Sequence, residues 1–126
     1  MRQLVSAMLV LLGIIHLLPL AGVLGAQRLA LLYGTPLTDP NLLILMRHRA
    51  VLFGLLGLFF MAAAWRPALQ LPAFAMAFAS LASFLWLAWA VGGYNAQLGR
   101  VVLVDLVAMA CWAIGIAALS YERLRG

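Results

Sequence analysis

The chain has 126 residues, 67% of them apolar and 9% charged, with a mean hydropathy of +1.13; its formal net charge is +5 and every basic residue is arginine. That composition belongs to the membrane class and leaves no room for a soluble catalytic domain, because the longest non-apolar connection is residues 26–40. Positive charge spread along the edges of apolar runs excludes a nucleic-acid surface, and a lone cysteine, Cys111, excludes an internal disulfide or a multi-cysteine zinc site.

The first apolar run covers residues 4–25, long enough to cross a hydrocarbon core of about 30 Å, with His16 as its one strongly polar member. A signal peptide is the rival reading: Arg2 as its basic start, Pro19 as a late breaker and Val23-Leu24-Gly25 as a cleavage site. Residues 26–40 read as a short interfacial turn of helix followed by a loop. Asp39 then supplies an N-cap acceptor, and Pro40 a first helical residue with no amide hydrogen to waste.

The second span, residues 41–65, carries the Met46-Arg47-His48-Arg49-Ala50 stretch about 9–12 Å into the helix. Charges at that depth are costly unless paired, which makes them functional-site candidates. Arg66-Pro67 closes the span. Gln70-Leu71-Pro72 gives the start signal for a third span, residues 72–91, which Gly92-Gly93 terminates. Trp86, Trp89 and Tyr94 read as an interface belt, with Asn95 beside them. A fourth span, residues 101–121, holds one acid, Asp105, before a charged tail of Glu122, Arg123 and Arg125.

The expected fold is therefore a single all-α domain, a four-helix transmembrane bundle with short loops and both termini on one side. Arginines tie at four on each side unless Arg47 and Arg49 are paired inside the bundle. That pairing predicts cytoplasmic termini, while the tie keeps a dual-topology homodimer open.

His16, Arg47, Arg49 and Asp105 then fall at one level, with Trp86 and Trp89 near it. At 100° per residue Arg47 shares a face with Ala50, Gly54, Gly57 and Met61, a small-residue stripe that turns it into the bundle. Arg49 lies about 200° away beside Phe53, Leu56 and Phe60, snorkelling outward or facing another neighbour. Asp105 shares a face with Ala108, Trp112 and Gly115, so the simplest ion pair joins Arg47 to Asp105.

Residues 39–57, running from Asp39-Pro40 through Met46-Arg47-His48-Arg49 to Gly54-Leu55-Leu56-Gly57, resemble small bacterial four-span inner-membrane proteins of the DoxX-like group. Phe84-Leu85-Trp86-Leu87-Ala88-Trp89 and Gly92-Gly93-Tyr94-Asn95 extend the likeness. The resemblance implies a bacterial inner membrane and a four-helix bundle, and no activity. No nucleophile elbow, phosphate loop or carboxylate pair supplies catalytic machinery.

The functional expectation is a non-catalytic accessory subunit or a binder of an anionic lipid or quinone-like ligand. Its site would draw on Arg47, Arg49, Asp105, His16, His48, Trp86, Trp89, Tyr94 and Asn95. A small ion-coupled transporter working as a homodimer, with Asp105 titrating against arginine, is the first alternative. A haem b held between His16 and His48 is the second. Expected partners are membrane lipids, a larger membrane complex or a second copy.

Overall fold

The structure is a computed structural model that describes residues 1–20, 26–34 and 38–126. Five helices are described: α1 Arg2–Leu17, α2 Ala26–Tyr33, α3 Pro40–Ala64, α4 Pro67–Val91 and α5 Ala96–Arg125. α1 continues as a short 3₁₀ turn through residues 18–20. With that turn, α1, α3, α4 and α5 are each long and apolar enough to cross a membrane, and α2 is not. The architecture is all-α, a four-helix bundle of the multi-pass membrane type. The end of the first span and the cleavage-site reading fall on residues 21–25, outside the described residues.

Local chemistry sets the helix ends. Asp39 is extended and its carboxylate accepts from Asn41 N at 2.9 Å, with Pro40 as the first helical residue of α3. Gly92 and Gly93 both adopt positive φ, a conformation that lets α4 stop and the chain turn toward α5. Asn95 then caps α5, its side-chain oxygen accepting from Leu98 N at 2.8 Å.

Two boundaries differ from the sequence expectation. α4 starts at Pro67, not at Pro72, and runs through Pro72. Pro67 serves as the first helical residue after an extended Arg66, and Pro72 sits early enough to remove one backbone hydrogen bond without ending the helix. α5 starts at Ala96, not near Val101, because Asn95 supplies the cap and turns the polar Gln97–Arg100 stretch into the first turns of helix.

Around the bundle the order is α1, α3, α4, α5. α1 packs extensively on α3 and α5 and touches α4 across the centre, while α2 lies on α5. Val5, Leu9 and Leu12 of α1 are fully buried against Phe60 and Ala63 of α3, Phe74 and Ala77 of α4, and Ala118 and Leu119 of α5. Lipid tails are as apolar as leucine, so such helices associate through close packing and interhelical hydrogen bonds. Both occur here. A Cβ on Gly13 would lie 3.0 Å from the Gly57 carbonyl and one on Gly57 would lie 2.8 Å from the Gly13 carbonyl, which puts the α1 and α3 backbones in contact. Ser6 Oγ donates to the Ala64 carbonyl at 2.6 Å, satisfying an acceptor in the last turn of α3, and Trp112 Nε1 donates to the Phe74 carbonyl at 2.8 Å. At the same end as Ser6, Arg2 Nε approaches Glu122 Oε1 at 4.0 Å, so the two termini share one side.

Candidate functional site

The polar side chains gather at the opposite end. Arg49 on α3 and Asp105 on α5 each lie about 14 Å along their helices from the first residue, so the two face each other at a common level. Both line one cavity of about 270 Å³ and the Arg49 charge acts on Asp105 across it. His16 forms part of the floor from α1. Tyr33 closes the wall from α2, and Gln97 and Arg100 stand near the start of α5. Ile15, Leu18, Phe53, Val101 and Val104 make the rest of the lining largely apolar.

Arg49 is held from several directions. Its Nη1 donates to Tyr33 Oη, and its guanidinium carbon lies 4.6 Å from the Phe53 ring centroid, 5.4 Å from Tyr33 and 6.0 Å from Phe84. Cations over aromatic faces gain on the order of 0.5–2 kcal/mol each, more as water is removed. The rings make a half-buried guanidinium tolerable at membrane depth. Tyr33 is itself buried among Leu43, Met46, Leu98 and Val101, so α2 acts as a lid pinned over the α3–α5 junction. Asn95 fastens the lid from the other side, its Nδ2 donating to the Tyr33 carbonyl at 2.7 Å.

A second cavity of about 420 Å³ begins on the other side of the Arg49–Tyr33 contact. It is almost wholly apolar, bounded by Leu42 and Met46 of α3 and by Phe84, Leu87 and Val91 of α4, with Tyr94 at its rim. The Arg49–Tyr33 contact is thus the partition between a mixed polar chamber and an apolar one.

His16 is 1% exposed and fully bonded. Its Nδ1 is 2.9 Å from the Leu12 carbonyl, which only accepts, and its Nε2 is 3.0 Å from Ser80 Oγ. Its ring stacks on Phe53 at 5.5 Å and meets Phe60 edge-on at 4.9 Å.

Several expected site residues are placed otherwise. Arg47 does not turn into the bundle: it is exposed on α3 and outside the cavity that holds Asp105, a place that Arg49 occupies in its stead. The small-residue face is real from Ala50 through Gly54 to Gly57, all buried, yet it does not carry back one further turn. α2 and the start of α5 cover the Arg49 side of α3 instead. His48 is also exposed on α3 and lines none of the cavities described, so it does not face His16. Trp86 and Trp89 are 63% and 75% exposed with ring centroids 5.3 Å apart, a pair on the outer surface of α4 and not in either chamber. Tyr94 borders the apolar cavity and Asn95 serves as cap and tie.

Tyr33, Phe53, Phe84, Gln97 and Arg100 are the site residues that sequence reasoning missed. Gln97, Val101 and Val104-Asp105 follow a spacing of four and then three residues, a stripe on one helical face, and that periodicity is a signal from which Gln97 could have been found. Among the described residues no group of three or more His, Cys, Asp or Glu side chains is arranged to hold a metal ion. No protein-family model matches the chain, and no curated protein or solved structure matches it either.

Proposed function

We propose that the protein is a non-catalytic, multi-pass membrane protein that binds an amphiphile whose head presents an anionic or carbonyl oxygen. The head is received by the chamber between α1, α2, α3 and α5. One observation carries this reading: Arg49, tied to Tyr33 and ringed by Phe53 and Phe84, lines a largely apolar cavity together with Arg100 and, among the described residues, a single acid, Asp105. A guanidinium kept at that depth beside a cavity, with cations outnumbering the anion, is a site for an acceptor group from the membrane. Lipid headgroups, fatty acids and quinone carbonyls share that chemistry.

The setting we infer is a bacterial inner membrane with the termini in the cytoplasm. Arg2, Arg66, Arg123 and Arg125 flank the terminal side. Arg28 and Arg47 remain on the other side once Arg49 and Arg100 are counted with the cavity they line, a four-to-two bias in the cytoplasmic direction. The likeness of residues 39–57 to the DoxX-like group supports the same setting.

The test is mass spectrometry of the lipids and small molecules that remain with the gently purified protein, wild type against Arg49→Gln. The reading expects an amphiphile enriched over the bulk membrane extract and lost from the variant. A retained set identical to the bulk extract in both proteins overturns it.

A further inference from the structure

Charge, shape and volume together narrow the class of amphiphile. Among the described residues the cavity lining carries two guanidiniums, Arg49 and Arg100, and one carboxylate, Asp105, and both nitrogens of His16 are already engaged. The surplus is one positive charge, which a monoanion neutralises and a dianion exceeds.

The surroundings of Arg49 select among monoanions. Phe53 and Phe84 bring aromatic carbon to 4.6 and 6.0 Å from the guanidinium carbon and Tyr33 takes one N–H at its edge, so the remaining N–H groups of Arg49 are the donors left for a ligand. A carboxylate is planar and meets such a fork edge to edge. A tetrahedral phosphate brings a further oxygen that needs its own donor, and the aromatic carbon of Phe53 and Phe84 near the guanidinium supplies none. Volume points the same way. At about 270 Å³ the chamber lies just under the roughly 300–1,000 Å³ of ordinary ligand pockets, enough for a compact molecule and too little for a lipid with two chains.

We propose that this chamber binds a compact lipophilic monocarboxylate, such as a medium-chain fatty acid, as its anion. The carboxylate sits on Arg49 at the level of Asp105, and the apolar body lies along Ile15, Leu18, Val101 and Val104. Asp105 tunes selectivity by setting the surplus at one charge, so that dianions are refused. The proposal rests on the chamber being an amphiphile site and adds the identity of the head.

The experiment uses the whole protein in phosphatidylcholine nanodiscs. Saturable binding of radiolabelled octanoate above empty nanodiscs is measured, with methyl octanoate and octyl phosphate as competitors. The ester keeps the chain and loses the charge, so it should compete on the order of tenfold to a hundredfold more weakly, the worth of a charge-assisted hydrogen bond. Octyl phosphate should also be the weaker competitor against wild type. Asp105→Asn should tighten octanoate several-fold and close the gap to octyl phosphate, and Arg49→Gln should abolish saturable binding of octanoate. The ligand series on wild type needs no variant to fold.

An ester that competes as well as the acid, or an octyl phosphate that competes better, overturns the carboxylate assignment and leaves the amphiphile site standing. An Asp105→Asn protein with unchanged affinity and selectivity overturns the charge argument. Absence of saturable octanoate binding to wild type overturns the carboxylate assignment, and the amphiphile site then stands or falls on the co-purified molecules.

Discussion

Arg49 Nη1 donates to the hydroxyl of Tyr33, sixteen positions earlier in the chain, and through that bond α2 is fastened over the α3–α5 junction. Tyr33→Phe keeps the ring that buries against Leu43 and Leu98 but removes the acceptor. A hydrogen bond to a charged group is worth about 1.5–3 kcal/mol, so the variant should unfold earlier in a denaturing-detergent titration by roughly that amount. It should also expose α2 to proteolysis at concentrations of protease that leave wild type intact. Unchanged unfolding and unchanged cleavage would show that packing alone holds the lid.

Asn95 does two tasks with one side chain, and two substitutions separate them. Its oxygen accepts from Leu98 N at 2.8 Å and its Nδ2 donates to the Tyr33 carbonyl at 2.7 Å. Asn95→Asp retains the cap and points a second acceptor at that carbonyl, so α5 should keep its start while α2 loosens. Asn95→Ala loses both, with about 0.5–2 kcal/mol from the cap added to the lost tie. Amide hydrogen exchange distinguishes the outcomes: faster exchange confined to α2 in the first variant, spread into the first turn of α5 in the second.

The spans were legible because membrane solvent forces long apolar runs, and the Asp39-Pro40 start and the Gly92-Gly93 stop were legible because cap chemistry is local. The inward-facing arginine was not. Helical phase places Arg47 with Ala50, Gly54 and Gly57, but phase gives an angle about one axis and says nothing of which neighbour stands at each height. Near Arg49 the covering element is α2, an eight-residue helix too short to declare its docking side by periodicity. Pro72 misled for a related reason. A proline marks a helix start only where none begins upstream, and Pro67 had already opened α4.

His16 is bonded at Nδ1 to the Leu12 carbonyl and at Nε2 to Ser80 Oγ, and His48 is exposed on α3. Haemin added to the purified protein should therefore give no bis-imidazole Soret spectrum, since ligation would cost the Ser80 bond and require His16 to leave its slot between Phe53 and Phe60. Ser80→Ala should destabilise the bundle by about 1–3 kcal/mol, the penalty for leaving a buried ring nitrogen unsatisfied. The appearance of a six-coordinate haem spectrum in wild type would mean that the His16 slot opens readily.

The reciprocal approach of Gly13 and Gly57 predicts opposite outcomes for glycine-to-alanine changes at two positions on the membrane helices. At Gly57 a new Cβ would lie 2.7 Å from Leu17 Cγ and 2.8 Å from the Gly13 carbonyl, and the second of these is backbone that cannot rotate away. α1 and α3 would have to separate by several tenths of an ångström, loosening the floor beneath His16, at about 1–3 kcal/mol for overpacking. At Gly99, in the first turns of α5, the nearest atom to a new Cβ is Tyr94 Cε2 at 3.8 Å, an ordinary contact. There the gain in helix propensity, up to about 1 kcal/mol, goes unopposed. Gly57→Ala should lower the thermal midpoint in mild detergent and Gly99→Ala should hold or raise it. Equal tolerance at both sites would mean that the α1 and α3 backbones do not touch, and the floor that His16 gives the Arg49–Asp105 chamber would lose its support.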